Sequence, residues 1–299
     1  LYELNGAKAP NGNRDGETNL GDLITDALVW GAKQNGETVD AAITNGGGIR
    51  ATIKAGDITK KDINTVLPFG NTLSIVKVTG TELLEALEAS TYCTPDALGG
   101  FPQVSGIQFT IDTGKSYDAG ALYPDSTYHA PKSINRVTIQ SVGGKAFDEK
   151  AVYTIATNDF MAAGGDTYYA FKAASANYNI GVPMDEVLMD YIKTELKGVV
   201  GETYVKPQGR ITLTKTEAPA EEPAKPAEPA QPSTPAQPAK PADGDGGETS
   251  YTVVSGDCLW NIAYRHYGSG AKFTMIAEAN GLKDPYLINI GQVLVIPAA

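Results

Sequence analysis

The stretch Asn45-Gly46-Gly47-Gly48-Ile49-Arg50 directly follows a short apolar run, Ala41-Ala42-Ile43-Thr44, which predicts a strand that ends in a glycine loop. Three glycines permit positive φ and close approach of a ligand, and their N–H groups can line an anion-binding concavity. Arg50 adds a permanently charged fork that suits phosphate or carboxylate. The pattern matches neither GxGxxG nor a Walker loop, because no GK[ST] follows, so a plain glycine turn beside a solvated arginine stays open as the alternative.

Two further loops present an aromatic side chain beside glycines. The predicted strand over residues 152–157 runs into Asn158-Asp159-Phe160-Met161-Ala162-Ala163-Gly164-Gly165-Asp166, where Asp166 can accept hydrogen bonds from vicinal hydroxyls, as acidic residues do for ribose. Phe69 lies between Pro68 and Gly70, so we expect a turn to present its ring. The alternatives are an ordinary Gly-Asp turn for Asp166 and a core-filling ring for Phe69.

The first 214 residues predict helices and strands without strict βαβ alternation, which favours an α+β fold of layered, mixed sheets over a doubly wound one. Apolar residues spaced at 3.6 predict a helix from Leu20 to Gly31 with Asn19 as its N-cap. Thr79 and Glu82 have capping-box spacing for a second helix. Residues 114–131, rich in Tyr, Pro, Asp and Gly, predict a long surface loop.

The composition changes abruptly at residues 215–249. Eight prolines are spaced almost regularly three residues apart between Ala, Glu, Lys and Gln. This segment cannot form a packed core and predicts an extended spacer, with an SH3-type ligand as the alternative. Residues 250–299 then predict a compact βααβ unit near the lower size limit of a self-sufficient fold.

Charge and composition exclude several classes of function. The 299 residues carry a formal net charge of −11, which argues against a general nucleic-acid or anionic-membrane binder. Two cysteines and two histidines cannot form a disulfide framework or a histidine-rich metal centre. No apolar run is long enough to span a membrane, and the N-terminus lacks signal-peptide features, so it is typical of a mature or truncated chain.

The C-terminal unit resembles a LysM domain along nearly its whole length. The resemblance rests on YTVVSGDCLWNIA at 251–263, IAEANGL at 276–282 and IGQVLVIP at 290–297. It implies binding of N-acetylglucosamine-containing glycans, chiefly peptidoglycan or chitin, in a groove between two loops. Cys258 stands where the family usually has Thr, so a side-chain hydroxyl is missing there. Carried over by position, the implied contacts are Gly256, Asp257, Cys258, Leu259, Asn280, Gly281, Leu282 and Ile288.

Residues from about 10 to 213 resemble the C-terminal, substrate-binding domain of the 5′-nucleotidase family, which includes UDP-sugar hydrolases and 2′,3′-cyclic phosphodiesterases. The matching words are ETNLGDL at 17–23, NGGGIR at 45–50, LPFGN at 67–71 and NDFMAAGGD at 158–166. The resemblance implies that Phe69 and Phe160 sandwich the base and that Asp166 holds the ribose hydroxyls. The other implied nucleotide contacts are Arg14, Asn45, Gly47 and Arg50.

In that family the chemistry belongs to an N-terminal calcineurin-like domain that holds two divalent metal ions. The chain begins at Leu1 and has too few histidines for such a site, so we expect it to bind nucleotide without hydrolysing it, with no catalytic residue, cofactor or metal site of its own. The expected partners are a nucleotide, peptidoglycan and the metallophosphatase domain of a parent protein. The expected location is the wall of a bacterial, Gram-positive cell. The alternative is a non-enzymatic adhesion protein whose front domain is a scaffold.

Overall fold

The computed structural model describes residues 2–216, 249–253, 259–267, 272–282, 288–289 and 291–298. They fall into two compact units, the first running through to Lys215 and the second holding the described residues from Thr249 onward. The helices of the first unit are α1 (Asn19–Gln34), α2 (Lys60–Val66), α3 (Gly80–Ser90), α4 (Asp159–Ala162), α5 (Tyr169–Lys172) and α6 (Met184–Asp190). Its strands are β1 (Ala41–Asn45), β2 (Thr72–Thr79), β3 (Pro102–Ser105), β4 (Ile107–Asp112), β5 (Asp118–Leu122), β6 (His129–Ser133), β7 (Val137–Val142), β8 (Lys145–Ala146), β9 (Val152–Asn158), β10 (Ala176–Pro183) and β11 (Ile211–Thr214).

A five-stranded sheet, in the order β10-β2-β9-β1-β3, forms the middle layer of the first unit. β1 runs parallel to β9 and antiparallel to β3, while β2 is antiparallel to both of its neighbours. The predicted α+β fold with mixed sheets is therefore confirmed. A second sheet has the order β11-β4-β7-β8.

Both faces of the five-stranded sheet are covered, which explains why every residue of β1 is buried. Ala42 packs with α1 and α6 in one hydrophobic cluster, whereas Ala41 and Ile43 pack with α3 and the second sheet in the other. Alternate residues of one strand point to opposite faces. β1 therefore holds the two outer layers together.

Three of the helices, α1, α2 and α3, start at threonine caps. The Thr18 side chain accepts a 3.0 Å hydrogen bond from the Gly21 N–H, so the predicted cap at Asn19 is wrong by one residue. The side-chain amide of Asn19 donates instead to the Glu3 and Tyr204 carbonyl oxygens, at 2.9 Å each. The capping box predicted from Thr79 at the start of α3 is confirmed.

The prediction of a surface loop over residues 114–131 is wrong, because this segment contains β5 and the start of β6, which pair as an antiparallel hairpin. The aromatic rings of Tyr117 and Tyr123 are buried there. Their hydroxyls donate to the His129 carbonyl oxygen and to the Glu85 carboxylate in α3. Packing against α3 gives this Gly- and Pro-rich segment an order that its local sequence does not indicate.

The second unit contains β12 (Thr249–Thr252), α7 (Leu259–Tyr267), α8 (Phe273–Ala279) and β13 (Val293–Ile296), with β12 and β13 antiparallel. This is the predicted βααβ order, and its first strand begins at Thr249. The proline-rich segment lies outside the described residues apart from its two ends. Among the helices that the structure describes, none has the length and apolar character needed to cross a membrane.

Candidate functional site

The carboxyl ends of β1 and β9 meet at one edge of the five-stranded sheet, because these neighbouring strands run parallel. β1 ends at Asn45 and β9 ends at Asn158, and their side chains are hydrogen-bonded at 3.1 Å. The loop after β1 carries the three glycines, and the loop after β9 carries Phe160 and Asp166. In α/β sheets such an edge is where ligands commonly bind.

The glycine loop serves a different purpose from the one its sequence indicates. Gly46–Gly48 form a single 3₁₀ turn with negative φ throughout. The Gly46 and Gly47 N–H groups donate to the Phe101 and Gly99 carbonyl oxygens at 2.7 Å each. These two N–H groups are therefore engaged within the protein, and the prediction that they line an anion-binding concavity is wrong. Glycine is needed at position 46 because a Cβ there would lie 1.8 Å from the Asn13 carbonyl oxygen.

Asp166 is held next to the end of β1. The Asn45 side-chain amide donates to its carboxylate at 2.9 Å, and Asp166 adopts a left-handed backbone with φ of 52°. Burial raises the pKa of Asp166, while the Asn45 hydrogen bond and the nearby Arg14 charge lower it again. A Cβ on Gly99 would lie 3.8 Å from an Asp166 carboxylate oxygen, so Gly99 forms a neighbouring part of the wall.

Both predicted stacking rings are accessible. Phe69 is 59% exposed and Phe160 is 43% exposed, so the alternative of a core-filling Phe69 is wrong. The guanidinium carbon of Arg50 lies 5.6 Å from the centroid of the Phe69 ring. The Phe160 ring lies across the backbone of Gly165, where a Cβ would meet its Cζ atom at 2.5 Å. Each ring therefore retains an exposed surface on which a planar base can stack.

A shallow cleft opens beside Phe69. It is lined by residues from the ends of β1 and β9, from the loop before β2 and from the start of α6: Thr44, Gly48, Leu67, Phe69, Asn71, Asn158 and Met184. Its walls thus combine an exposed aromatic ring with side-chain amides. Such a mixture suits a planar, partly polar ligand.

The structure gathers the predicted nucleotide contacts into two neighbouring groups. Asn45 and Asp166 are in direct contact, and Arg14 lies close enough for its charge to act on Asp166. Arg50 contacts the Phe69 ring, and its guanidinium donates to the Gly47 carbonyl oxygen at 3.2 Å. Sequence reasoning assigned no role to Asn158, Gly99 or Thr44. Asn158 begins the quoted stretch after β9, so its position at a strand end was the available signal.

The predicted glycan contacts are only partly described. Gly256, Asp257 and Cys258 lie outside the described residues. The Leu259 side chain is 4% exposed and belongs to the core of the second unit, where Leu282 and Ile288 pack against it partly buried.

Of the remaining two positions, Gly281 has φ of 63°. The Asn280 side chain hydrogen-bonds to the Ile276 carbonyl oxygen and to both backbone groups of Val295. This side chain therefore already ties α8 to β13. The glycan contacts stay a prediction.

Across the described ranges, no group of three or more His, Cys, Asp or Glu side chains could hold a metal ion. The family resemblance assigns its two metal ions to an N-terminal domain, and that assignment stays a prediction. What the site offers is a carboxylate that accepts hydrogen bonds, two aromatic faces and a guanidinium.

Comparison with known proteins places these features in a family. Residues 4–173 match the family model described as 5′-nucleotidase, C-terminal domain, and residues 251–297 match that of the LysM domain. The chain is 36% identical over 200 residues to the trifunctional nucleotide phosphoesterase protein YfkN of Bacillus subtilis (strain 168), covering 66% of this chain and 12% of that protein. It is 35% identical over 187 residues to the cell wall protein Lmo0130 of Listeria monocytogenes, and the match covers 60% of this chain and 22% of that protein. The chain thus spans less than a quarter of the length of these two relatives.

Two solved structures are also similar to this chain. The 5′-nucleotidase precursor of Thermus thermophilus superposes with a TM-score of 0.59 at 34% identity, covering 71% of this chain and 38% of that one. The NAD nucleotidase NadN of Haemophilus influenzae shares the fold with a TM-score of 0.52 at 23% identity, covering 72% and 37%. The chain therefore belongs to the 5′-nucleotidase C-terminal domain family and carries a LysM domain behind that domain.

Proposed function

We propose that the first unit recognises a nucleotide or nucleoside for a 5′-nucleotidase-type phosphohydrolase. The observation that carries the proposal is the Asp166 carboxylate, held by Asn45 at the edge of the sheet where the loop bearing Phe160 starts and the loop bearing Phe69 ends. A fixed carboxylate can accept hydrogen bonds from both ribose hydroxyls. Stacking on aromatic rings tolerates different bases, because every base has a π face.

In this proposal Arg14, Gly47 and Arg50 contact the nucleotide from the β1 side of the site. Arg50 supplies a cation near the Phe69 ring, and a guanidinium suits phosphate oxygens by charge and geometry. The phosphoryl chemistry is supplied by a metallophosphatase domain of the parent protein. The name of the Bacillus subtilis relative, a nucleotide phosphoesterase, supports this assignment.

The test combines binding with turnover. Equilibrium dialysis of the full chain against AMP is expected to show saturable binding. Phosphate release from AMP with added divalent metal is expected to stay at the buffer level. Robust phosphate release by this polypeptide alone would contradict the division of labour, and absence of binding would favour a scaffold role for the first unit.

We further propose that the LysM domain holds the chain on peptidoglycan of a bacterial, Gram-positive cell wall, outside the cell. The LysM match and the cell wall protein of Listeria monocytogenes among the relatives support this location. The full chain is expected to sediment with purified peptidoglycan and to be released by soluble N-acetylglucosamine oligomers. Sedimentation that these oligomers do not reverse would count against glycan recognition.

A further inference from the structure

A line of side-chain amides leads from the backbone of α4 to Asp166, and its first member is Asn158. This side chain is 1% exposed, and its Oδ1 accepts a 2.8 Å hydrogen bond from the Met161 N–H. A backbone N–H can only donate, so this contact requires the oxygen of Asn158 to face α4. The Nδ2 group of Asn158 must then point away from α4.

The second member of the line is Asn45. The Asn158 Nδ2 group donates to Asn45 Oδ1 at 3.1 Å and to the Thr44 hydroxyl at 3.2 Å. Because Asn158 offers a donor, Asn45 must present its oxygen to it. The Nδ2 group of Asn45 therefore faces Asp166, to which it donates at 2.9 Å. If Asn45 were turned over, its oxygen would face a carboxylate oxygen and repel it.

We infer that Asn158 is a positioning residue, which sets the amide orientation of Asn45 and so the hydrogen bond that holds Asp166 for a ribose. The same side chain caps α4, the short helix that carries Phe160. One buried amide thus links the group proposed to stack on the base to the group proposed to hold the sugar. This inference rests on the proposed function, since it concerns how the same site is held.

The charged and titratable groups near Asp166 determine whether a change in pH can test this orientation. Arg14, Tyr128 and Tyr168 act on Asp166 electrostatically. Burial raises the pKa of both tyrosines well above the ordinary value, so neither changes charge between pH 5 and 8. Asp159, next to Asn158, is turned toward the Thr72 hydroxyl and the Phe160 N–H.

The informative variant is Asn158→Asp in the full chain. A carboxylate still accepts the Met161 N–H and keeps the cap, but it cannot donate to Asn45. Adenosine affinity at pH 7.5 is expected to fall at least about tenfold. The affinity of the variant relative to the wild type at the same pH should then recover as the pH is lowered toward 5.5, because protonation restores a donor at position 158. The wild-type chain should show no such gain, since acidification can only neutralise Asp166.

Three comparisons separate positioning from a general loss of structure. Asn35→Asp adds the same charge at the exposed end of α1 and should leave both affinity and pH profile unchanged. Asn158→Ser keeps a capping hydroxyl but is too short to reach Asn45, so it should lose affinity without recovery at low pH. Asn158→Ser also serves as the test variant if Asn158→Asp does not fold. Affinity for 2′,3′-dideoxyadenosine should be the same in both Asn158 variants as in the wild type, because that ligand lacks the hydroxyls that Asp166 would hold.

The outcomes separate this inference from the proposed function. If the wild-type chain binds neither AMP nor adenosine, the proposed function fails and the inference falls with it. If the wild-type chain binds and Asn158→Asp binds equally well with the same pH profile, the inference alone is overturned. The same holds if affinity for adenosine and the dideoxy analogue falls equally in both Asn158 variants.

Discussion

The side-chain amide of Asn45 donates a 2.9 Å hydrogen bond to the carboxylate of Asp166, a residue 121 positions further along the chain. One partner ends the interior strand β1, and the other lies in a left-handed turn after the neighbouring strand β9. The hydrogen bond therefore joins the end of β1 and the loop after β9 in one site. It also leaves the Asp166 carboxylate with acceptor capacity, since a carboxylate has about four lone-pair directions.

Ribonucleoside binding should weaken on acidification. The carboxylate of Asp166 must be ionised to accept two hydroxyl hydrogen bonds, and burial raises its pKa above the ordinary 3.8. Affinity for adenosine should therefore fall as the pH drops through this raised pKa, at a higher pH than an exposed aspartate would give. Calorimetric titrations between pH 7.5 and 4.5 measure the effect.

The control for that pH effect is Asp166→Asn. This variant should lose about 1.5–3 kcal/mol of adenosine binding, the value of a hydrogen bond to a charged group, and its remaining affinity should not vary with pH. In the wild-type chain, 2′,3′-dideoxyadenosine should bind independently of pH. An acid-dependent loss shared equally by both ligands would show that Asp166 does not contact the sugar.

Gly46→Ala should destabilise the first unit by at least about 2 kcal/mol. The added Cβ would lie 1.8 Å from a backbone carbonyl oxygen, that of Asn13, which cannot move aside as a flexible side chain would. Gly16→Ala is the matched control, because nothing lies within 4 Å of a Cβ built there. Urea unfolding of both variants provides the comparison. Equal midpoints would contradict the close approach at Gly46.

The free energy of unfolding should decrease as the pH rises above the ordinary pKa of an aspartate, because burial raises the pKa of Asp22. This side chain is fully buried at the start of α1, where it accepts from the Gln208 N–H and lies 3.5 Å from Arg210 Nε. Burial raises its pKa more than the Arg210 charge lowers it, and Glu17 raises it further. Between the ordinary 3.8 and the raised pKa, the folded state binds more protons than the unfolded state. The free energy of unfolding therefore falls with pH across this window, by at most about 1.4 kcal/mol per pH unit.

Asp22→Asn imitates the protonated side chain and should reduce this dependence. The exposed Asp57→Asn removes the same charge outside the buried cluster and should leave the slope as it is in the wild-type chain. Denaturation curves at several pH values from 4 to 8 measure both. A slope that Asp22→Asn does not alter would show that this carboxyl is ionised in the folded protein.

Periodicity and cap signals predicted the elements whose own sequence determines them. The helix after Thr79 and the strand before Asn45 are of this kind, because local spacing and a capping side chain suffice to define them. The β5–β6 hairpin is of the other kind. Its order comes from the packing of Tyr117 and Tyr123 and from a hydrogen bond to Glu85 in α3, which no local pattern reports.

The candidate site shows the same division. Asp166 and both phenylalanines stood out by residue type and by their glycine neighbours. The conformation of the glycine loop did not follow from its sequence, because it depends on the Phe101 and Gly99 carbonyl oxygens that accept the Gly46 and Gly47 N–H groups. Asn158 escaped notice because its partners, Thr44 and Asn45, come from a strand more than a hundred residues earlier.

Stacking of a base on Phe69 and Phe160 can be measured through the affinity of the full chain for adenosine. Phe69 and Phe160 are exposed, so Phe69→Ala and Phe160→Ala should leave the fold intact, whereas each should cost about 1–3 kcal/mol of binding. Tyr178→Ala, at an exposed aromatic on the edge strand β10, is the matched control and should bind as the wild type does. We predict saturable binding by the wild-type chain that is lost when both phenylalanines are replaced. Binding that survives the double replacement, or a wild-type chain that binds no nucleoside, would contradict stacking on these two rings.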